Sequence, residues 1–352
     1  IASVKQPQVS RNHHYVPEWY QHGFLPKGEG EFWVYDKSPA LSVECPDGQT
    51  RKIKNPRYLR RTGPDKLFQI DDLYAIKFPS ISTDFLERNL FGKIDNDGAN
   101  AAKMLQQWPR TVPLPKGDQY PNEYGDPNER MTDLLLFLNA QKARTPRGLD
   151  AIRSSLTARG IDSTNNNFIM LDFNAQRDRL CTVWSEALWQ IFSIASDDDA
   201  FLLSDEPVVF YNMDCFPASP VCKYPGDPNA FWRGTRVVFP LSSKKLLVLS
   251  HKEHADQPSR MKARQMRRNA RLYDQTIISF TWIEHEKMLT HDEVVAINFM
   301  IKTRATKFVA AFRQEDLFPD RKATMPKWSD LDEIFKPKYP SFHAGSKVHI
   351  GY

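Results

Sequence analysis

Two short stretches of this 352-residue chain concentrate groups able to move protons or hold an ion. The first is Arg11-Asn12-His13-His14-Tyr15-Val16-Pro17-Glu18-Trp19-Tyr20, which places two of the nine histidines side by side among aromatics. An imidazole changes charge near neutral pH, so either histidine suits a general acid, a general base or a metal ligand. Adjacent residues on an extended segment point to opposite sides, so His13 and His14 do not readily bind one ion together. The second stretch is Ser204-Asp205-Glu206-Pro207, between two β-rich apolar runs. Asp205 there sits at a sheet end, a usual place for a functional carboxylate. Plainer roles stand beside these: a histidine packed among Tyr15, Trp19 and Tyr20, and an Asp that closes its own turn.

Polar residues inside apolar helical stripes add to the list, because burying one without a partner costs about 1–3 kcal/mol. Gln141 continues the stripe of Leu134 and Leu138, with Arg144 at its edge. Asn298 sits among Val294, Ile301, Ala305 and Phe308, and Glu87 lies on the stripe of Leu90 and Ile94. Each serves either as a satisfied interhelix hydrogen bond or as one wall of a shared polar pocket. In a basic helix expected over 258–273, Arg260, Arg264, Arg267 and Arg271 fall at i, i+4, i+7 and i+11. That stripe suits a polyanion, or else an exposed ion-paired face. His251-x-x-His254 is a weak metal signal without a matched carboxylate. The phosphate-binding glycine loops, the nucleophile elbow and the paired-histidine zinc motif are absent from the sequence, which disfavours those enzyme classes.

The elements that must hold these residues follow from periodicity and breakers. Residues 31–36 alternate as a half-buried strand, and 37–70 reads as a long basic loop with room for one short strand. Helices are expected over 82–108 (weakened by Gly92 and Gly98), over 129–145 ending at Pro146, and over 147–159 closed by Gly160. A long amphipathic helix is expected over 174–195. Strands follow near 201–203, 208–211, 236–239 and 245–249 as an antiparallel meander, with a further strand over 276–283. Thr290-x-x-Glu293 is a capping box opening a helix to about Phe312. The order gives an α+β fold, mainly helical, with a small antiparallel sheet in the second half. The expected division is an N-terminal extension over 1–10, a single domain over 11–317 and a Pro-rich C-terminal tail over 318–352.

Composition narrows the class. With 41% apolar and 26% charged residues the chain builds a core and is not disordered. The net charge of +5 is compatible with a phosphate-bearing partner without requiring one. Cys45, Cys181, Cys215 and Cys222 show no metal or disulfide spacing, and reduced thiols are expected, although Cys215 and Cys222 lie near enough in sequence to pair. Apolar runs are too short to span a membrane, and residues 1–10 lack the apolar core of a signal peptide. An intracellular, cytoplasmic location is expected.

Several marks occur together and in order: His13-His14-Tyr15-Val16-Pro17, Gln141-x-x-Arg144-Thr145-Pro146, Ser204-Asp205-Glu206-Pro207-Val208-Val209, Phe239-Pro240-Leu241, and Asn298 with Ala305. In these the chain resembles the domain-of-unknown-function family of bacteria and fungi that opens with His-His-x-x-Pro, over about residues 12 to 312. The resemblance implies that the polar marks belong to one module and brings no activity with it. Asp95 stands where a further acidic residue is expected after Glu87.

The functional expectation is a nuclease-like phosphodiester hydrolase. His13 or His14 would act as base or metal ligand, with Asp205 and Glu87 as carboxylate partners and a divalent metal ion as the candidate cofactor. Gln141, Arg144 and Asn298 would position the substrate, and Arg260, Arg264, Arg267 and Arg271 would track a nucleic acid. The alternatives are a non-catalytic binding module with a buried polar network, and a small-molecule hydrolase using His and Asp as acid and base.

Overall fold

The segment Ala187-Leu188-Trp189-Gln190-Ile191-Phe192-Ser193-Ile194 is apolar on both faces, and the chain uses it as an inner strand. In the computed structural model, which describes residues 12–40, 42–44, 50–52, 57–74, 76–78, 81–83, 91–107, 125–185, 187–256, 262–267, 283–321 and 327–337, Ala187–Ile194 is almost entirely buried. It pairs along seven residues with antiparallel Lys245–His251 and on its other side with parallel Ile283–Leu289. Arg236–Pro240 and Val209–Tyr211 complete a five-stranded mixed sheet.

The expected helix over 174–195 is therefore corrected. A helix Asn166–Ala175 and a short one, Cys181–Ser185, precede the strand. A strand covered on both faces has no alternation to show, and its apolar run also fits helical spacing. The fold class is corrected with it. The protein is α+β, but it is not mainly helical with a small antiparallel sheet in its second half. A four-stranded antiparallel sheet joins Leu203–Ser204, Phe308–Ala311, Phe32–Asp36 and Leu59–Thr62, so strands from both ends of the chain share one sheet. The expected loop over 37–70 contains strands Ser42–Glu44, Thr50–Lys52, Leu59–Thr62 and most of Gln69–Asp71. Asn12–His14 pairs with Gln69–Asp71.

The helices keep closer to expectation. Pro127–Arg144 carries the Gln141 and Arg144 stripe. Pro146 does more than end it: Thr145 caps the next helix, Pro146–Ala158, by accepting from Gly148 N, and the proline takes the first-turn place where a missing N–H costs little. Gly98, expected to weaken its helix, is where Gly92–Gln107 meets Pro127–Arg144. A Cβ at Gly98 would lie 2.6 Å from Phe137 Cγ. That close approach brings Asp95 within reach of Arg144.

The capping box forms as expected, with Thr290 accepting from Glu293 N and the Glu293 carboxylate accepting from Thr290 N. This helix, His291–Arg304, stops eight residues short of the expected end. Ala305 is extended, Lys37 Nζ donates to the carbonyls of Lys302 and Ala305, and Phe308–Ala311 enters the four-stranded sheet. Asn298 is buried on this helix and grips the approach to strand Leu203–Ser204: its Oδ1 accepts from Leu202 N at 2.9 Å and its Nδ2 donates to Ala200 O at 2.8 Å. Asn298→Ala strands the Leu202 N–H, and a loss of about 1–3 kcal/mol is expected in chemical denaturation. A loss below about 0.5 kcal/mol, the size of an ordinary surface change, rejects the clamp.

One set of packed buried side chains runs from Tyr15 to Phe335. Residues 327–337, expected within a surface tail, join it through buried Trp328, Leu331 and Phe335. Trp328 Nε1 donates to Asn212 O, Tyr211 Oη donates to Trp328 O, and Arg236 grips Asp332 through its carboxylate and carbonyl. The expected basic helix over 258–273 is described only at 262–267, which is turn and bridge rather than helix. There Arg233 N and Gly234 N donate to the Gln265 and Ala263 carbonyls. Among the described residues no helix is long and apolar enough to cross a membrane.

Candidate functional site

The His-His segment and the end of helix Pro127–Arg144 meet in a buried clasp. His13 is fully buried, stacks on Tyr74 at 5.4 Å and accepts from Tyr74 N through Nδ1. Tyr74 Oη donates to Arg144 O. Gln141 Nε2 donates to Tyr15 O at 2.9 Å, while Gln141 Oε1 accepts from both Arg144 Nε and Nη2. The remaining arm of Arg144 pairs with Asp95 at 2.8 Å, and the guanidinium lies over Phe91 and Phe137. Burial pushes the Asp95 carboxyl up, against the pull of the arginine. His14 is half-buried, with Nδ1 3.4 Å from the Glu18 carboxylate.

One residue further along that helix, Lys142 opens a second group. Glu206 lies in the turn after strand Leu203–Ser204 and is 3% exposed, and its Oε2 is 3.9 Å from Lys142 Nζ. Its Oε2 accepts from Thr145 Oγ1 at 3.1 Å and its Oε1 from Thr306 Oγ1 at 3.4 Å. Asp227 faces three cations: Lys142 Nζ at 2.7 Å, Arg147 Nη1 at 3.5 Å and Arg304. The side chains of Lys142 and Asp227, 12% and 15% exposed, form the edge nearest solvent. Four stretches of the chain supply this cluster: 142–147, Glu206, Asp227 and 304–306.

Its electrostatics follow from burial. Desolvation pushes Glu206 up to about 7 and Lys142 down to about 7, with each partly restoring the charge of the other. Burial and then the Asp205 and Glu206 carboxylates push the Tyr15 hydroxyl well above its ordinary value, which ties the clasp to the cluster.

Asp205 is the neighbour of Glu206 with a different task. Its carboxylate accepts from the backbone N–H groups of Thr306, Lys307 and Phe308 at 2.9, 2.6 and 2.9 Å. Burial raises its pKa, against the pull of those three donors and Lys37. It receives the chain leaving helix His291–Arg304 and directs it into the sheet.

Among the expected site residues, His13, Gln141 and Arg144 come together, and Asp205 lies beside the cluster. Asn298 spends both ends of its amide on residues 200–202. Glu87, Arg260 and Arg271 lie outside the described residues. Arg264 is exposed over Trp232 at 4.9 Å, whereas Arg267 is buried against Phe231, so these two do not share a face. His251 Nε2 is 3.2 Å from Ala230 O, with burial pushing its pKa down to about 4, and His254 Nε2 is 3.6 Å from Asp332. Among the described residues no group of three or more His, Cys, Asp or Glu side chains is arranged to hold a metal ion. Cys181, Cys215 and Cys222 are buried and free, and Cys45 lies outside the described residues.

Sequence reasoning did not single out Lys142, Arg147, Glu206, Asp227 or Arg304 as site residues. Two local signals existed. Lys142 and Arg147 flank the Thr145-Pro146 junction, and Arg304 directly precedes Ala305 at the helix end.

The fold and this cluster define an α+β protein with a buried, cation-rich polar centre. Residues 167–315 match the family described as Protein of unknown function (DUF4238). The matched span contains Glu206, Asp227 and Arg304, whereas Lys142, Arg147 and the His13-His14 segment precede it. No curated protein and no solved structure matches the chain.

Proposed function

We propose that the protein is a phosphodiester hydrolase whose acid–base group is Glu206 rather than a histidine. One observation carries this reading: three buried or nearly buried cations, Lys142, Arg147 and Arg304, converge on Asp227, and one of them, Lys142, also lies 3.9 Å from Glu206, whose carboxyl burial pushes up to about 7. Cations in that arrangement neutralise a phosphate, and a carboxyl poised near 7 accepts a proton efficiently at working pH. Glu206 takes the proton of an attacking water as its oxygen bonds to phosphorus. The ester P–O bond breaks, and the leaving oxygen takes a proton from Lys142. One proton passing from Glu206 to Lys142 restores the starting state. His13, Gln141 and Arg144 act behind this centre by fixing the helix end that carries Lys142 and Thr145. The earlier expectation of a polynucleotide track has little support, since Arg264 and Arg267 diverge. The reading therefore concerns the phosphodiester group, with the length of the substrate set aside.

A specific observation favours the structural alternative: each of the three cations already faces Asp227. The two readings part on Glu206→Gln, which preserves shape and removes the base. Turnover of bis(4-nitrophenyl) phosphate is followed from about pH 5 to about pH 9. The hydrolase reading expects a rate that peaks near neutrality, because Glu206 must be ionised and Lys142 protonated. It also expects a loss of at least about 100-fold in E206Q with the melting temperature little changed. Absence of turnover in the wild-type protein, or full turnover in E206Q, leaves the cluster as a structural network.

A further inference from the structure

A basic surface with aromatic rings adjoins the Glu206 cluster on the four-stranded sheet. Thr306, which donates to Glu206, is followed by Lys307 and then by Phe308, the first residue of strand Phe308–Ala311. Phe308 pairs with Asp36, and Asp36 N donates to Tyr58 O, so Phe308, Asp36 and Tyr58 stand in one row that ends at the sheet edge. Arg60, two residues after Tyr58, shares their face. Its guanidinium lies over the Phe308 ring at 5.2 Å, and Lys307 Nζ lies over the same ring at 4.9 Å. Phe308 is half-buried, Tyr58 is 46% exposed, and Arg57 beside it is exposed. The next arginine behaves differently. Arg61 turns to the opposite face, over Trp33, and its guanidinium is 3.5 Å from Glu29 and 3.4 Å from Glu31. Among the described residues no carboxylate pairs with the side chains of Arg57, Arg60 or Lys307. Asp36, the acid on the row, is buried and accepts from Ser38 N at 3.0 Å.

We infer that this face binds single-stranded nucleic acid and leads the strand past the Glu206 cluster. A single strand presents phosphates at regular intervals and bases with open faces, so it is met by cations interleaved with rings. Arg57, Arg60 and Lys307 supply the charge without carboxylates to neutralise it. Tyr58 supplies an exposed ring, and Arg60 supplies a planar guanidinium backed by Phe308, on which a base also stacks. Stacking of this kind tolerates any base, so the surface selects single strands rather than a sequence. An acidic peptide satisfies the cations and leaves the rings unused, and a duplex keeps its base faces hidden. The neighbourhood of Thr306 makes the link to the cluster, since Lys307 and Phe308 follow it directly. The inference rests on the hydrolase reading for the fate of the bound strand, and its binding stands apart from that reading.

Fluorescence anisotropy of a labelled oligo(dT) of about 12 nucleotides tests it on the full chain. Wild-type protein and Glu206→Gln are titrated side by side, so that cleavage does not blur binding. Binding is expected to saturate and to weaken about sevenfold to eighteenfold between about 50 and about 200 mM salt, the change for two or three phosphate contacts. The double variant Arg60→Gln, Lys307→Gln is expected to lose at least about tenfold in affinity at the lower salt and to show a flatter salt dependence, with its melting temperature kept. Tyr58→Ala is expected to lose about fivefold or more with the salt dependence unchanged, because stacking releases no counterion. Absence of saturable binding, undiminished binding by the double variant or by Y58A, or equal affinity for a duplex or for polyglutamate of the same length each overturns the inference. Turnover of bis(4-nitrophenyl) phosphate without oligonucleotide binding overturns it and leaves the hydrolase reading standing. Binding that these variants weaken, without any turnover, upholds the surface and sinks the hydrolase reading.

Discussion

Arg144→Met is expected to lower stability by about 3–5 kcal/mol, the cost of leaving buried polar partners without their charge complement. Arg144 is 1% exposed and closes four contacts at once: Gln141 Oε1, the Asp95 carboxylate, and the faces of Phe91 and Phe137. Methionine keeps much of the packing over the rings and removes every donor. Asp95 is then a half-buried carboxylate whose pKa is already pushed up by desolvation and now lacks its cation. Gln141 keeps its bond to Tyr15 O but loses both donors to its oxygen. The measurement is the urea midpoint of the single variant and of the double variant Asp95→Leu, Arg144→Met. The double variant should recover part of the loss, because the stranded carboxylate is gone. A loss below about 1 kcal/mol, or a double variant less stable than the sum of its singles, rejects the clasp as a desolvated ion pair.

Asp205→Ala carries the second large effect. Three backbone N–H groups, of Thr306, Lys307 and Phe308, converge on that carboxylate, and alanine leaves all three without it. At about 1–3 kcal/mol for each unsatisfied donor, and allowing water to reach some of them, a loss of about 3–6 kcal/mol is expected. Asp205→Asn should be milder, because the amide oxygen still accepts while the amide nitrogen faces a donor. Hydrogen exchange supplies the local reading. The amides of Thr306, Lys307 and Phe308 should lose protection in both variants before the five-stranded sheet does. Equal loss of protection throughout the protein would show that Asp205 has no special hold on this junction.

Both predictions rest on features only half legible in the sequence. Gln141 and Arg144 stood out because a polar residue inside an apolar stripe must find a partner, and the structure supplies Tyr15 and Asp95. Asp205 stood out because it follows a strand and precedes Pro207. Its partners are the N–H groups of residues about a hundred positions away, and backbone donors leave no mark in a list of side chains. Glu206, one position later, gave no separate signal, since nothing local distinguishes a solvated glutamate from one enclosed by Lys142, Thr145 and Thr306.

The secondary structure divides along the same line. Thr290 and Glu293 cap their helix through contacts within four residues, and Pro146 acts on its own backbone, so those boundaries follow from sequence alone. Ala187–Ile194 lies within the helix expected over 174–195, because a strand buried on both faces shows no alternation. Its identity is settled by Lys245–His251 and Ile283–Leu289 on its flanks. Likewise the helix from His291 was expected to reach Phe312, and what ends it at Arg304 is Lys37 at its C-terminal carbonyls, Asp205 beyond them, and the sheet waiting for Phe308–Ala311. The sequence by itself determined which residues are out of place in their local surroundings. The tertiary structure decided what each one meets, because those partners come from distant segments and the energy of the contact depends on burial that only the assembled fold creates.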